Sequence, residues 1–113
     1  MQKNHVSQFQ EYVEGRFTKR IIHKDGDNVI FVLNFSRGAE LPTHNHPGAD
    51  VYILVLDGSG TVTVNGVETE VAEGDILHIV GDENFAYRNG TDADSSLYVI
   101  LTKTPCERYA QNM

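Results

Sequence analysis

Residues 38–58, GAELPTHNHPGADVYILVLDG, carry the strongest structural signal in this chain. Two histidines, His44 and His46, are one residue apart, and an acidic residue, Asp50, precedes an apolar run that ends before Gly58. On a β-strand, residues i and i+2 point to the same face. Two imidazoles on one face can bind one transition metal, because imidazole suits Zn, Cu, Fe and Ni. The stretch therefore predicts a strand segment that carries part of a metal site.

The composition of the whole chain is that of an ordinary globular protein. Its 113 residues, 40% hydrophobic and 22% charged, are enough for one domain with its own core, which we expect to span residues 1–113. The formal net charge of −7 argues against nucleic acid or an anionic membrane as a partner. The polar N-terminus resembles no signal peptide, and the single cysteine, Cys106, cannot form an intrachain disulfide. We therefore expect a cytoplasmic protein, without a catalytic thiol at Cys106.

The distribution of apolar residues predicts an all-β chain. Short runs rich in Val, Ile, Phe, Tyr and Thr alternate with Gly, Asn and Asp, and turn signals about eight to twelve residues apart favour a sandwich or barrel over βαβ units. Asn65-Gly66 between two such runs indicates a hairpin, because both turn residues require a positive φ. A helical signal is confined to residues 6–14, with Ser7 as a candidate cap. The predicted strands cover residues 17–23, 29–36, 51–56, 61–64, 67–71, 76–80, 85–88 and 97–102.

The histidine stretch resembles the first motif of the small single-domain cupins, G(X)5HXH(X)3-4E(X)6G. Gly38, His44 and His46 occupy the motif's first glycine and its two histidines. The resemblance implies the cupin fold, a double-stranded β-helix or jelly-roll barrel. In such a barrel two antiparallel sheets close on each other and leave a cleft at one end, which the histidine strand would line.

The resemblance extends over about residues 30–102. It implies a barrel core at about residues 16–103, preceded by an N-terminal segment, residues 1–15. Because many cupins pair through their outer sheets, it also implies a homodimer, and the N-terminal segment could join that interface.

The acidic position of the first motif departs from the family pattern. Asp50 stands where the family has Glu, and seven residues rather than six separate it from Gly58. Counting back from Gly58 instead places Val51 in the glutamate position. A shift of one residue reverses the facing of a side chain on a strand, although a bulge near Gly48 would return Asp50 to the histidine face. Both alternatives stay open at this point.

The second cupin motif, G(X)5PXG(X)2H(X)3N, is matched at its two ends. Gly74 and Asn89 stand at the correct separation. Between them, Val80 replaces the proline and Phe85 replaces the histidine, while either Asp82 replaces the glycine or Gly81 is that glycine shifted by one position. That histidine is a metal ligand in the family, so the resemblance implies only a partial metal site.

One further histidine, His78, lies within the predicted strand at residues 76–80. By alternation it shares a face with Ile76 and Val80, and it could replace the missing imidazole if that face lines the barrel interior. Both faces of this strand are apolar, so the pattern does not determine the inner one. The candidate ligands of a divalent transition metal (Zn, Fe, Ni, Mn or Cu) are His44, His46, Asp50 and His78.

A small-molecule pocket is the second expected feature of the cleft. Its candidate residues include Arg88, which we expect to be the one cation near the cleft, either to bind an anion or to pair with an acid. For the aromatic candidates, packing in the core is the simpler interpretation. The candidate pocket residues are Tyr52, Phe85, Tyr87 and Arg88.

Three functions are compatible with these residues. The first is a small-molecule-binding cupin of unknown reaction, with a partial metal site on His44 and His46. The second is a metal-dependent dioxygenase or isomerase, in which the metal would activate dioxygen or polarise a carbonyl. The third is a metal-free ligand-binding or sensor module. The resemblance does not choose among them, because a fold does not fix a function.

Overall fold

The computed structural model describes residues 1–103 and confirms the all-β prediction. These residues form nine β-strands and a 3-10 helix, Val6–Phe9. No helix in this part of the chain is long and apolar enough to cross a membrane, and Cys106 lies outside the described residues. The strands are β1 Phe17–Asp25, β2 Asn28–Phe35, β3 Glu40–His44, β4 Asp50–Asp57, β5 Ser59–Val64, β6 Val67–Ala72, β7 Ile76–Val80, β8 Phe85–Arg88 and β9 Ser95–Thr102.

The strands form two antiparallel sheets. The five-stranded sheet has the order β1-β2-β9-β4-β7, and the four-stranded sheet has the order β3-β8-β5-β6. Neighbours such as β2 and β9 are distant in sequence, so the chain crosses repeatedly from one sheet to the other, as in a jelly roll. Alternate residues of both sheets point inward and form one core, in which the large side chains include Phe31, Leu33, Phe35, Ile53, Phe85, Tyr87 and Leu97.

The predicted strands all occur, with bounds that differ by at most two residues from those observed. The predicted hairpin turn is present, with φ of 48° at Asn65 and 84° at Gly66. The helical turn predicted within residues 6–14 is present as a 3-10 helix of four residues, Val6–Phe9, but its N-cap is His5 rather than Ser7. The imidazole of His5 accepts a hydrogen bond from the backbone nitrogen of Ser7, so histidine takes the capping role.

The N-terminal segment packs against the five-stranded sheet of its own chain. The fully buried Asn34 donates a hydrogen bond from Nδ2 to the carbonyl oxygen of Phe9, at 2.8 Å. Gln10 donates from Nε2 to the carboxylate of Asp57 and to the hydroxyl of Ser96. These bonds give the buried Asn34 Nδ2 and the Ser96 hydroxyl partners away from water, whereas the buried Oδ1 of Asn34 has none among the described residues. A role of the segment in a homodimer stays a prediction.

Candidate functional site

A cavity of about 230 Å³ lies between the two sheets, inside the barrel. Most of its wall consists of aliphatic and phenyl side chains from both sheets. Three nitrogen-bearing side chains, those of Lys19, His44 and His46, complete the wall, and no carboxylate among the described residues lines it. We call this space the barrel cavity.

The two motif histidines lie side by side in the wall of the barrel cavity. His44 is the last residue of β3, and His46 begins a tight turn in which the backbone nitrogen of Ala49 donates to the His46 carbonyl oxygen at 3.0 Å. The His46 backbone nitrogen in turn donates to the carbonyl oxygen of Gly81, also at 3.0 Å. The two imidazole rings are perpendicular, with centroids 4.9 Å apart. The sequence spacing therefore brings both rings to one site.

Hydrogen bonding and charge set the protonation of the histidine pair. Nδ1 of His44 lies 2.8 Å from the carbonyl oxygen of Pro42, and a carbonyl only accepts, so Nδ1 carries the proton and Nε2 keeps its lone pair in the neutral ring. Burial lowers the pKa of His46, and the neighbouring His44, Lys19 and Lys103 lower it further. At neutral pH the ring of His46 is therefore uncharged.

Phe85 packs directly on the histidine pair. Its ring centroid is 4.3 Å from that of His44 and 6.2 Å from that of His46. This residue stands where the second cupin motif has its metal-binding histidine, and a phenyl ring offers no donor. In place of the third imidazole of a complete cupin site, this chain has the apolar phenyl ring of Phe85.

Asp50 and His78 lie together, but on the face of the five-stranded sheet that points away from the barrel cavity. Val51 and Ile53 line the cavity, so strand alternation turns Asp50 and Tyr52 outward. Nε2 of His78 is 2.9 Å from Oδ1 of Asp50, and the Tyr52 ring stacks on the His78 ring at 4.7 Å. Asp50 and His78 were predicted to join His44 and His46 as ligands of one metal. The structure corrects that prediction, because the two pairs lie on opposite faces of the five-stranded sheet.

The donors in the described residues do not make up a complete cupin metal centre. Within residues 1–103, no group of three or more His, Cys, Asp or Glu side chains is arranged to hold a metal ion. Protein zinc sites use three or four protein ligands. His44 and His46 supply two, so the residues of the barrel cavity fit at most a partial site.

The remaining pocket candidates have separate environments. Tyr87 is buried in the core, where its hydroxyl lies 2.9 Å from the Ser95 hydroxyl. Arg88 is exposed on the outer face of the four-stranded sheet, with a guanidinium nitrogen 3.9 Å from a Glu68 carboxylate oxygen. Alternation along β8 turns Phe85 inward and Arg88 outward, which corrects the expectation that Arg88 lies near the cleft and agrees with the alternative that it pairs with an acid.

The cation at the barrel cavity is Lys19, which is not among the residues predicted for the site. Its ammonium nitrogen is 4.5 Å from the centroid of the Phe31 ring, a cation–π contact. Lys19 both lines the cavity and is exposed, so it marks the place where the cavity meets solvent. The sequence does carry a signal for this position of Lys19. Alternation in β1 puts Lys19 on the same face as Phe17, which also lines the cavity.

Comparison with known proteins agrees with this architecture. The Cupin domain family model matches residues 31–101. Dimethylsulfoniopropionate lyase DddW of Ruegeria pomeroyi is 41% identical over 56 residues, which are 50% of this chain and 36% of the lyase. The chain thus matches little more than a third of that relative's length.

Two solved structures show the same fold at low identity. An uncharacterised conserved protein with a double-stranded β-helix domain from Klebsiella pneumoniae has a TM-score of 0.85 and 18% identity, over 93% of this chain and 92% of that one. An RmlC-like cupin protein from Desulfovibrio desulfuricans has a TM-score of 0.80 and 23% identity, over 90% and 96% of the two chains. At these identities the likeness establishes the jelly-roll barrel and no activity.

Proposed function

This chain belongs to the cupin domain family, and we propose that it is a small-molecule-binding cupin whose ligand occupies the barrel cavity. The observation that carries this proposal is an apolar space of about 230 Å³ with two imidazoles in its wall. Protein interiors are close-packed, with few voids larger than a water molecule. Apolar cavities with a few polar groups are where proteins bind small molecules.

The volume limits the size of the ligand. Pockets for drug-sized molecules span about 300–1,000 Å³, and this cavity is smaller. At about 30 Å³ for each water-sized group, it holds roughly eight non-hydrogen atoms. A six-carbon chain with one polar head, such as hexan-1-ol or hexanoate, is therefore a suitable probe.

Obstructing the barrel cavity should weaken probe binding. Ile53 and Leu54 are neighbours on β4, but Ile53 lines the cavity while Leu54 does not. We expect hexan-1-ol or hexanoate, at about ten times its Kd, to raise the Tm of the wild type by about 5 °C. Ile53→Phe should reduce this shift because its larger side chain takes up part of the space, whereas Leu54→Phe should keep it. Differential scanning fluorimetry measures the shift.

Two results of that experiment would contradict the proposal. One is a wild-type protein whose Tm responds to neither probe. The other is an Ile53→Phe variant that is folded by circular dichroism and still shows the full shift, since the probes would then bind elsewhere.

We further propose that His44 and His46 form a partial metal site. Two imidazoles suit a divalent transition metal (Zn, Fe, Ni, Mn or Cu) but leave most coordination positions to other groups. We expect protein purified without a histidine tag to hold well under one equivalent of metal, and to bind added Zn²⁺ weakly. Calorimetry should show that this binding is lost in the His44→Ala/His46→Ala double variant.

His78→Ala is the matched control for the metal experiment, because His78 lies on the outer sheet face beside Asp50. It should leave Zn²⁺ binding unchanged. A full equivalent of tightly held metal in the wild type, or weaker Zn²⁺ binding in His78→Ala, would contradict a two-histidine site. If Zn²⁺ binds no better to the wild type than to the double variant, the chain is a metal-free binding module.

An enzyme is the second candidate function, and the similarity to a lyase favours it. The test is to incubate the protein and Zn²⁺ or Fe²⁺ with dimethylsulfoniopropionate and to follow the loss of that compound by NMR. A binding protein leaves the compound intact. Turnover that disappears in His44→Ala/His46→Ala would assign the chain to the enzymes instead. Oxygen uptake in the same samples would test for a dioxygenase.

A further inference from the structure

We infer that the ligand of the barrel cavity is a small carboxylate with an apolar body, and that its carboxylate lies beside the ammonium group of Lys19. This inference rests on the proposed function, because it requires the cavity to be a binding site. It adds the chemical class of the ligand and the residue that selects it.

The position of Lys19 is the first support. Lys19 pairs with Leu33 across β1 and β2, and its ammonium lies over the Phe31 ring at the cavity wall. Within the described part of the chain, no carboxylate forms an ion pair with it. Lysine side chains on a surface extend their ammonium groups into water. Here an aromatic ring of the wall holds the ammonium where a ligand's head group can reach it.

The surrounding charge is the second support. The whole chain has a formal net charge of −7, which on average repels anions. Around the cavity the balance is reversed: the ammonium group of Lys19 lies at the wall, and the described wall contains no carboxylate. A site lined by one sign of charge with low-dielectric walls concentrates ligands of the opposite sign.

The apolar wall is the third support, because it defines the rest of the ligand. Away from Lys19 and the two imidazoles, the cavity is bounded by side chains such as Leu33, Ile53 and Val99, which cannot satisfy polar groups. A second charge or hydroxyl placed there would lose its hydration without a hydrogen-bonding partner. The cavity therefore selects one anionic head at the Lys19 end and an aliphatic or phenyl body behind it.

The test compares three probes of equal chain length at low salt: hexanoate, hexan-1-ol and hexylamine. By isothermal titration calorimetry, we expect the wild type to bind hexanoate about tenfold more tightly than hexan-1-ol, as a charge-assisted contact gives, and hexylamine more weakly than either. Hexanoate affinity should fall with added NaCl, because Lys19 is exposed and its charge is screened. Hexan-1-ol affinity should not fall.

Lys19→Met is the decisive variant, since it keeps an apolar chain of similar length and removes the charge. It should bind hexanoate no better than hexan-1-ol while it retains hexan-1-ol binding. Lys24→Met, on the same strand but outside the cavity wall, is the matched control and should keep the tenfold preference. If Lys19→Met does not fold, Lys19→Gln and the salt dependence of the wild type test the same point.

The possible failures are distinguishable. If hexan-1-ol binds as tightly as hexanoate, or if folded Lys19→Met keeps the preference, the carboxylate assignment is overturned while the cavity remains a binding site. If no probe binds, the proposed function itself is overturned.

Discussion

Replacing Asn89 with alanine should lower the free energy of unfolding by about 3 kcal/mol or more. Asn89 is fully buried, and its Nδ2 donates to the carbonyl oxygens of Phe35, Ser36 and Ala93 at 3.0, 3.2 and 2.7 Å. Its Oδ1 accepts from the backbone nitrogen and the hydroxyl of Thr91. Alanine removes all five of these bonds from a buried position, and a buried polar group left without a partner costs about 1–3 kcal/mol.

The cost is large because Asn89 connects parts of both sheets. It directly follows β8 of the four-stranded sheet, and it binds the last residue of β2 in the five-stranded sheet and the loop before β9. Urea unfolding followed by circular dichroism measures the loss. Asn28→Ala is the control, because exposed Asn28 accepts a single side-chain hydrogen bond, at 3.3 Å, and should cost less than about 1 kcal/mol. Equal losses in the two variants would contradict a special role for Asn89.

Asn89 also shows how much of the fold the sequence could predict. Its place at the end of the second cupin motif was recognised from spacing, but spacing does not reveal a buried amide with five partners. Strands were recognised wherever apolar runs ended at Gly, Asn or Asp, because turns and alternation are local properties. The exception is β3, Glu40–His44, whose Pro42 weakens the strand signal.

The facing of the site residues was less predictable, because both faces of the five-stranded sheet carry apolar side chains. On β7, Leu77 points inward and packs against the core between the sheets, whereas its neighbour Ile76 points outward and is 76% exposed. A pattern of two apolar faces contains no information about which one is inner. His78 and Asp50 could therefore be placed only by the register of β4 and β7, which depends on contacts distant in sequence.

The histidine pair could be predicted from local spacing, whereas the role of Lys19 depends on tertiary packing. His44 and His46 were brought together by local spacing, and the structure places both in the cavity wall. Lys19 was missed because a single cation in a strand is usually a solvated surface residue. Only the packing of β1 over the cavity, with Phe31 beneath the ammonium, gives this lysine a distinct environment.

Replacing Gly81 with alanine should lower both stability and ligand binding, because Gly81 packs against the turn that holds His46. A Cβ at residue 81 would overlap the backbone oxygens of His46 and Ala49 and the backbone nitrogen of Ala49. These are backbone atoms of the turn that begins at His46, so no side-chain rotation relieves the contact. The turn must move, and the ring of His46 moves with it. We expect a loss of about 1–3 kcal/mol in stability, as overpacking gives, together with at least about a tenfold loss in hexanoate affinity.

Gly90→Ala provides the matched control for this prediction. Neither Gly81 nor Gly90 has a positive φ, so alanine strains the backbone of neither, and the nearest atom to an added Cβ at residue 90 is Arg88 Nε, at 3.7 Å. Gly90→Ala should therefore keep both stability and hexanoate binding, and calorimetry on the two variants separates the cases. If Gly81→Ala is destabilised but binds hexanoate with wild-type affinity, the turn at His46 supports the fold alone. If both properties fall together, the close packing of Gly81 against this turn is what holds the imidazole of His46 at the barrel cavity.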